Sequence, residues 1–208
     1  DATARENLAR ASVMTLSFVA QSARGLERPA VPQRIIDQSP TITHRFMTRW
    51  HGEPDPDHVR AIDAYWVAAA EHGLNTSTLT ARVIASTGAD VSTALSGAVG
   101  ALSGPLHGGA PSRVLPMLDE VVRTDDPRGV VTARLDRGEK IMGFGHRIYR
   151  AEDPRADVLR SVARDLHAPR YEAAAAAAGV FALVTSDIWP ISDIIFSIVA
   201  MVLSSEAA

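Results

Sequence analysis

Apolar side chains return every three to four residues along this chain, and that spacing constrains its fold more than any other feature. Residues spaced in this way share one face of an α-helix, which can bury that face against a core. No stretch shows the sustained alternation of a half-buried strand. The sequence therefore predicts an all-α class, with apolar stripes on four helices: Val59, Ile62, Trp66 and Ala69; Val91, Leu95, Ala98, Val99 and Leu102; Val114, Leu115, Leu118, Val121 and Val122; and Val158, Leu159, Val162 and Leu166.

Small and capping residues predict where some of these helices begin, end and pack. Gly25 is typical of a helix end, and the Ser39-Pro pair that opens "SPTITHRFMTRW" predicts the start of the next helix. Gly97 and Gly100 lie inside the second stripe, where each costs about 1 kcal/mol relative to alanine. We expect a neighbouring backbone to approach that helix closely and offset the cost.

Charge and composition exclude several classes of partner. The net charge of −3 and an isoelectric point near 6.2 provide no basic surface for nucleic acid or an anionic membrane. The chain has no cysteine, so disulfides, thiolate nucleophiles and cysteine-ligated metals are excluded. The apolar run "IIFSIVAMVL" has half of the about 20 residues that span a bilayer, and it predicts a buried helix. We expect a cytoplasmic protein.

Neither a metal site nor a nucleotide-binding loop is predicted. The string "GFGHRI" departs from the dinucleotide-binding glycine pattern, and no strand precedes it. Four histidines lack the paired spacing with acidic residues that a metal site needs: His44, His51, His58 and His167.

Three glycine-bearing turns each bring a histidine to the edge of a helix: "EHGLN", "GPLHGGAP" and "GFGHRIYR". In the second turn, Gly-Pro and Gly-Gly flank His107 and leave it the most chemically active side chain of a stiff segment. Such a segment is also typical of a plain connection between helices, with His107 as a surface cap. Three histidine turns in one chain favour a shared function.

These turns lie within three longer strings, "EHGLNTSTLTARVIAST", "GALSGPLHGGA" and "RGEKIMGFGHRIYRAEDPRADVL". Together they resemble the citrate synthase family, well from residue 61 to about 171 and more loosely over the first 60 residues. The resemblance implies an almost wholly helical homodimer whose active site lies between a large and a small domain. Residues 1–110 would be part of the large domain and residues 111–208 the small domain. The chain has no initiator methionine, and we expect an interior segment, incomplete at both ends.

The resemblance also implies a reaction of the tricarboxylic acid cycle. The family condenses acetyl-CoA with oxaloacetate and hydrolyses citryl-CoA to citrate and CoA, with acetyl-CoA as a co-substrate and no permanently bound cofactor or metal. Two alternatives stay open: a 2-methylcitrate synthase that uses propionyl-CoA, and a non-catalytic dimeric scaffold of the same architecture. One methylene separates the two acyl donors and is worth only about 1–3 kcal/mol, so pocket shape decides between them.

Three residues match the family's catalytic groups. Condensation removes a weakly acidic proton, so it needs a carboxylate base and a donor that stabilises the enolate. The resemblance assigns that donor to His107, polarisation of the oxaloacetate ketone to His146, and the base to Asp187 in "TSDIWP". Asp187 fits equally well as a plain N-cap, and Asp193 is the alternative base.

Three further residues match substrate ligands. The resemblance assigns oxaloacetate contacts to His72 and Arg155 and a CoA phosphate contact to Arg150. Asp153-Pro154 predicts a helix start, and Arg155 then lies in the first turn, where the helix dipole disfavours a cation unless an anion is near. A substrate carboxylate would be such an anion. The non-functional alternatives are that Arg150 and Arg155 are ordinary surface charges and that His72 is a residue favoured at a helix C-terminus.

Overall fold

All regular structure in the described part of the chain is helical, which confirms the predicted all-α class. The computed structural model describes residues 2–70, 73–108, 113–141, 154–168 and 170–185. Within these ranges the helices are α1 (Ala2–Arg24), α2 (Gln33–Ile36), α3 (Ile42–His51), α4 (Pro56–Ala69), α5 (Thr76–Ser86), α6 (Val91–Leu102), α7 (Val114–Thr124), α8 (Pro127–Asp136), α9 (Pro154–Asp165) and α10 (Tyr171–Thr185).

The four apolar stripes lie on α4, α6, α7 and α9, with Leu166 one residue past the end of α9, and the predicted ends are partly correct. Gly25 follows the last residue of α1 with φ of 78°, a left-handed conformation that suits glycine. The predicted Ser39 cap is wrong by two residues. Thr41 caps α3 instead, because its extended backbone lets its hydroxyl accept from the His44 N–H at 3.1 Å. The Ser39 hydroxyl lies 3.1 Å from that of Thr48.

The glycines of α6 do not meet a neighbouring backbone, so that expectation is wrong. A Cβ at Gly97 would collide with the side chain of Ile84 on α5, so a side chain fills the space there. A Cβ at Gly100 would meet no described atom within 4 Å. The stripe on α6 is also only half-buried, with Val99 61% exposed.

Two compact units divide the chain. The first comprises Asp1–Asp63 and Leu74–Ala101, and the second comprises Ala64–Gly73 and Leu102–Ala208. The predicted large and small domains meet between residues 110 and 111, which lie outside the described residues, so that division stays a prediction. The predicted helix "IIFSIVAMVL" also lies outside them. No described helix is both long enough and apolar enough to cross a membrane.

In the first unit, α3 packs against both α1 and α2. The Arg24 guanidinium at the end of α1 donates to the Trp50 carbonyl at 2.8 Å, and the Thr43 hydroxyl donates to the Asp63 carboxylate at 2.7 Å. These bonds connect α3 to α1 and α4. The apolar residues buried in this unit are Ala20, Ile36, Phe46, Met47, Ala61 and Ile62.

In the second unit, α7, α8 and α10 pack against one another, and the end of α4 packs against α9. The Arg170 guanidinium donates to the Asp119 carboxylate at 2.5 Å, which connects the start of α10 to α7. The apolar residues buried in the three-helix cluster are Val114, Met117, Leu118, Val121, Val130, Val131, Ala174, Ala177 and Ala178.

The alanine run of α10 forms part of this packing. Ala174, Ala177 and Ala178 are buried at helical spacing, whereas Ala176 is exposed. We predict that Ala177→Leu lowers the free energy of unfolding by about 1–3 kcal/mol, because a fully buried alanine leaves no room for a larger side chain. Ala176→Leu is the matched control and should change it by less than about 0.5 kcal/mol. Urea denaturation of the full-length variants measures both. Equal stability of the two variants would contradict the described packing.

Candidate active site

His107 lies in a hydrogen-bonded turn directly after α6. Its backbone N–H donates to the Gly104 carbonyl at 3.0 Å, which closes a four-residue turn. Pro105 occupies the second position of that turn, where its fixed φ is favoured. The His107 side chain is half-buried, whereas Leu106 beside it is 72% exposed. The Gly-Pro pair thus builds a stiff turn that presents His107 at the end of α6.

Gly108 closes the same segment back onto the helix. Its N–H donates to the carbonyl of Leu102, the last residue of α6, at 2.9 Å. A Cβ at Gly108 would collide with that carbonyl oxygen and with the Leu102 side chain. Glycine is therefore required by a close approach of two backbone segments, which fixes the chain one residue after His107.

We predict that Gly108→Ala destabilises the protein by about 1–3 kcal/mol, because the group in the way is backbone and cannot rotate aside. Gly100→Ala is the control, since a methyl group there meets no described atom within 4 Å. Alanine within a helix should raise stability by about 0.4–1 kcal/mol at that position. Urea denaturation distinguishes the expected loss of stability in Gly108→Ala from the expected gain in Gly100→Ala. A Gly108→Ala variant as stable as the unmodified protein would mean that the turn is built differently.

Arg155 lies in the first turn of α9, as predicted, and its side chain is half-buried. The next residue, Ala156, is fully buried, and Leu159 is 1% exposed. These two pack against Ala64, Tyr65 and Ala68 on the second half of α4. The first turn of α9 is therefore held firmly against α4.

Tyr65 on α4 is a half-buried titratable residue that the sequence patterns did not single out. Burial raises the pKa of its phenol well above the usual range, and the nearby positive charge of Arg155 partly opposes that rise. Tyr65 is thus a neutral phenol at physiological pH and lies within electrostatic range of the Arg155 guanidinium. The one sequence feature that could have drawn attention to Tyr65 is its position three residues after Ile62, on the same helix face and shortly before His72.

Arg155 and Tyr65 lie in the same compact unit as His107. Four other predicted site residues lie outside the described residues and stay predictions: His72, His146, Arg150 and Asp187. The alternative base, Asp193, also lies outside them. In the described part of the chain, no three histidine or acidic side chains cluster as metal ligands.

Comparison with known proteins matches almost the whole chain to one family. The family model described as "Citrate synthase, C-terminal domain" matches residues 1–199. A relative from Mycobacterium tuberculosis named "Putative citrate synthase 2" is 76% identical over 176 residues. That alignment covers 85% of this chain and 47% of the relative, so the chain spans about half of the relative's length.

Two further matches extend the comparison. A 2-methylcitrate synthase from Shewanella oneidensis is 42% identical over 128 residues, which cover 61% of this chain and 34% of that protein. The crystal structure of citrate synthase from Thermotoga maritima superposes with a TM-score of 0.75 at 30% identity, covering 93% of this chain and 53% of that one. The helical architecture described above is therefore shared with the Thermotoga maritima enzyme.

Proposed function

The chain belongs to the citrate synthase family, and from this premise we propose that the protein condenses acetyl-CoA with oxaloacetate and hydrolyses citryl-CoA to citrate and CoA. The observation that carries the proposal is the turn at residues 104–108. It holds a half-buried histidine between Gly104 and Gly108, in a segment that resembles the family's enolate-stabilising histidine motif. The full-length protein is proposed to act as a cytoplasmic homodimer.

In the proposed reaction, a carboxylate removes a proton from the methyl group of acetyl-CoA. Asp187 is proposed as this base. An N–H of the His107 ring donates to the thioester oxygen, on which negative charge develops as the enolate forms. Gly108 next to it lets the chain close onto the Leu102 carbonyl, where a Cβ would collide, and so fixes the backbone beside His107.

The enolate carbon then attacks the ketone carbon of oxaloacetate, and a new carbon–carbon bond forms. His146 is proposed to polarise the ketone oxygen with a ring N–H and to donate that proton to it, which makes it the hydroxyl group of citryl-CoA. Water then cleaves the thioester to release citrate and the CoA thiol. His72 and Arg155 are proposed to hold the oxaloacetate carboxylates, and Arg150 the CoA phosphate.

The proposal is tested by following thiol release from acetyl-CoA with purified full-length protein. Thiol release that requires oxaloacetate, with citrate identified by mass spectrometry, is the expected result. A protein that binds neither substrate and releases no thiol would instead be a scaffold, and the proposed function would be wrong.

The acyl donor needs its own comparison, because a 2-methylcitrate synthase is among the relatives. The same assay with propionyl-CoA measures kcat/KM for each donor. We propose acetyl-CoA as the preferred donor, in line with the 76% identical relative's name. A higher kcat/KM for propionyl-CoA would assign the chain to 2-methylcitrate synthesis.

A further inference from the structure

A groove lies between α1, α2 and α3 in the first unit, and apolar side chains line most of it. Ile36 and Phe46 are buried beside it. Val13 on α1 and Ile42 on α3 also line it, yet they are 61% and 60% exposed. The other residues that line the groove are Leu16, Ser17, Arg45 and Arg49. In the described part of the chain, much of the apolar surface of this groove is therefore open to a ligand.

The two arginines of the groove belong to a network that contains one carboxylate. Arg45 donates to the Asp37 carboxylate at 2.8 Å, and Arg49 donates to the Gln33 side-chain oxygen at 2.9 Å. The Gln33 amide in turn donates to Asp37 at 2.9 Å. Hydrogen bonds from Gln33 and Arg45 lower the pKa of Asp37, so this carboxyl group is ionised at neutral pH. The network thus carries two positive charges and one negative charge, and the hydrogen-bond partner of Arg49 is neutral.

We propose that this groove binds a small apolar monocarboxylate, whose carboxylate pairs with Arg49 and whose hydrocarbon body covers Val13 and Ile42. The excess of one positive charge complements a single carboxylate better than it complements a doubly charged phosphate. The planar fork of a guanidinium group also matches a carboxylate, and the exposed apolar side chains gain free energy when they are covered. The groove belongs to the first unit, whereas the described residues of the candidate active site belong to the second. The proposed ligand is therefore additional to the substrates of the proposed reaction.

The first test uses octanoate as the probe and the full-length protein. Isothermal titration calorimetry should show that octanoate binds, and that octan-1-ol, which has the same chain without the charge, binds at least about 10-fold more weakly. Arg49→Gln should weaken octanoate binding by about 10-fold or more, because it removes a hydrogen bond to a charged group. Arg60→Gln is the matched control and should leave the affinity unchanged. Arg60 is exposed, lies on α4 outside the groove and pairs with Asp57 at 3.4 Å.

The second test concerns the apolar part of the groove and compares two exposed valines of α1. Val13 lines the groove and is 61% exposed, whereas Val19 does not line it and is 51% exposed. Val13→Ser should weaken octanoate binding about 3- to 10-fold, and Val19→Ser should change it by less than about twofold. Octanoate should also raise the thermal midpoint of the unmodified protein, and it should raise that of Arg49→Gln less.

Three results would each overturn the inference. Octanoate that does not bind the full-length protein would mean that another part of that protein covers the groove. Equal affinity of Arg49→Gln and the unmodified protein would mean that octanoate binds without the proposed ion pair. A change of oligomeric state in Val13→Ser but not in Val19→Ser, measured by size-exclusion chromatography with light scattering, would make the groove a contact between two copies of the chain. These measurements use neither acetyl-CoA nor oxaloacetate, so their outcome is independent of the proposed function.

Discussion

His107→Ala is expected to lower kcat of the full-length enzyme by about two to four orders of magnitude. The substitution removes the proposed donor to the developing enolate, and donors of this kind contribute mainly to the transition state. The KM for oxaloacetate should change little, because His107 is proposed to face the thioester. Steady-state kinetics with acetyl-CoA and oxaloacetate measure both parameters.

The fold should survive this change. The two hydrogen bonds that close the turn use the backbone N–H groups of His107 and Gly108, and alanine keeps them. Leu106→Ala is the control in the same turn, since Leu106 is 72% exposed and should alter turnover by less than about threefold. A His107→Ala variant that loses stability but keeps its turnover would favour the reading of His107 as a structural cap.

The turn that carries His107 could be predicted in unusual detail because its geometry is encoded locally. Proline sets one backbone angle, and Gly108 tolerates the approach of the Leu102 carbonyl, so the short segment 102–108 determines its own path. The start of α3 was harder to predict, because two neighbouring residues can each cap it. Ser39 and Thr41 compete to cap the same helix, and the backbone angles at Thr41 decide the outcome.

Packing between distant segments could not be predicted from the sequence. Six consecutive alanines in α10 give no sequence signal for which of them face the core. The packing of α10 against α7 and α8 determines that Ala177 is buried and Ala176 exposed. Tyr65 and Arg155 lie far apart in the chain. Periodicity places Tyr65 on a helix, but only the pairing of α4 with α9 brings it against Ala156 and Leu159, in the helix that begins with Arg155 in its first turn.

Arg155→Leu is expected to weaken oxaloacetate binding about 10- to 150-fold, which corresponds to about 1.5–3 kcal/mol for hydrogen bonds to a charged group. CoA binding should change by less than about threefold. Arg150→Leu should show the reverse pattern, because its proposed ligand is the CoA phosphate. Isothermal titration calorimetry of each full-length variant with each ligand measures both effects. Equal weakening of both ligands by both variants would show that the two roles are wrongly assigned.

A stability measurement separates a ligand role for Arg155 from a structural one. A cation in the first turn of a helix opposes the helix dipole at a cost of about 0.3–1 kcal/mol, which a bound substrate carboxylate would offset. Oxaloacetate should raise the thermal midpoint of the unmodified protein, because a ligand that binds only the folded state stabilises it. The same oxaloacetate concentration should raise the midpoint of Arg155→Leu far less. A variant that is destabilised without ligand, yet gains as much from oxaloacetate as the unmodified protein, would make Arg155 a structural residue of α9 and leave the substrate carboxylate to another cation.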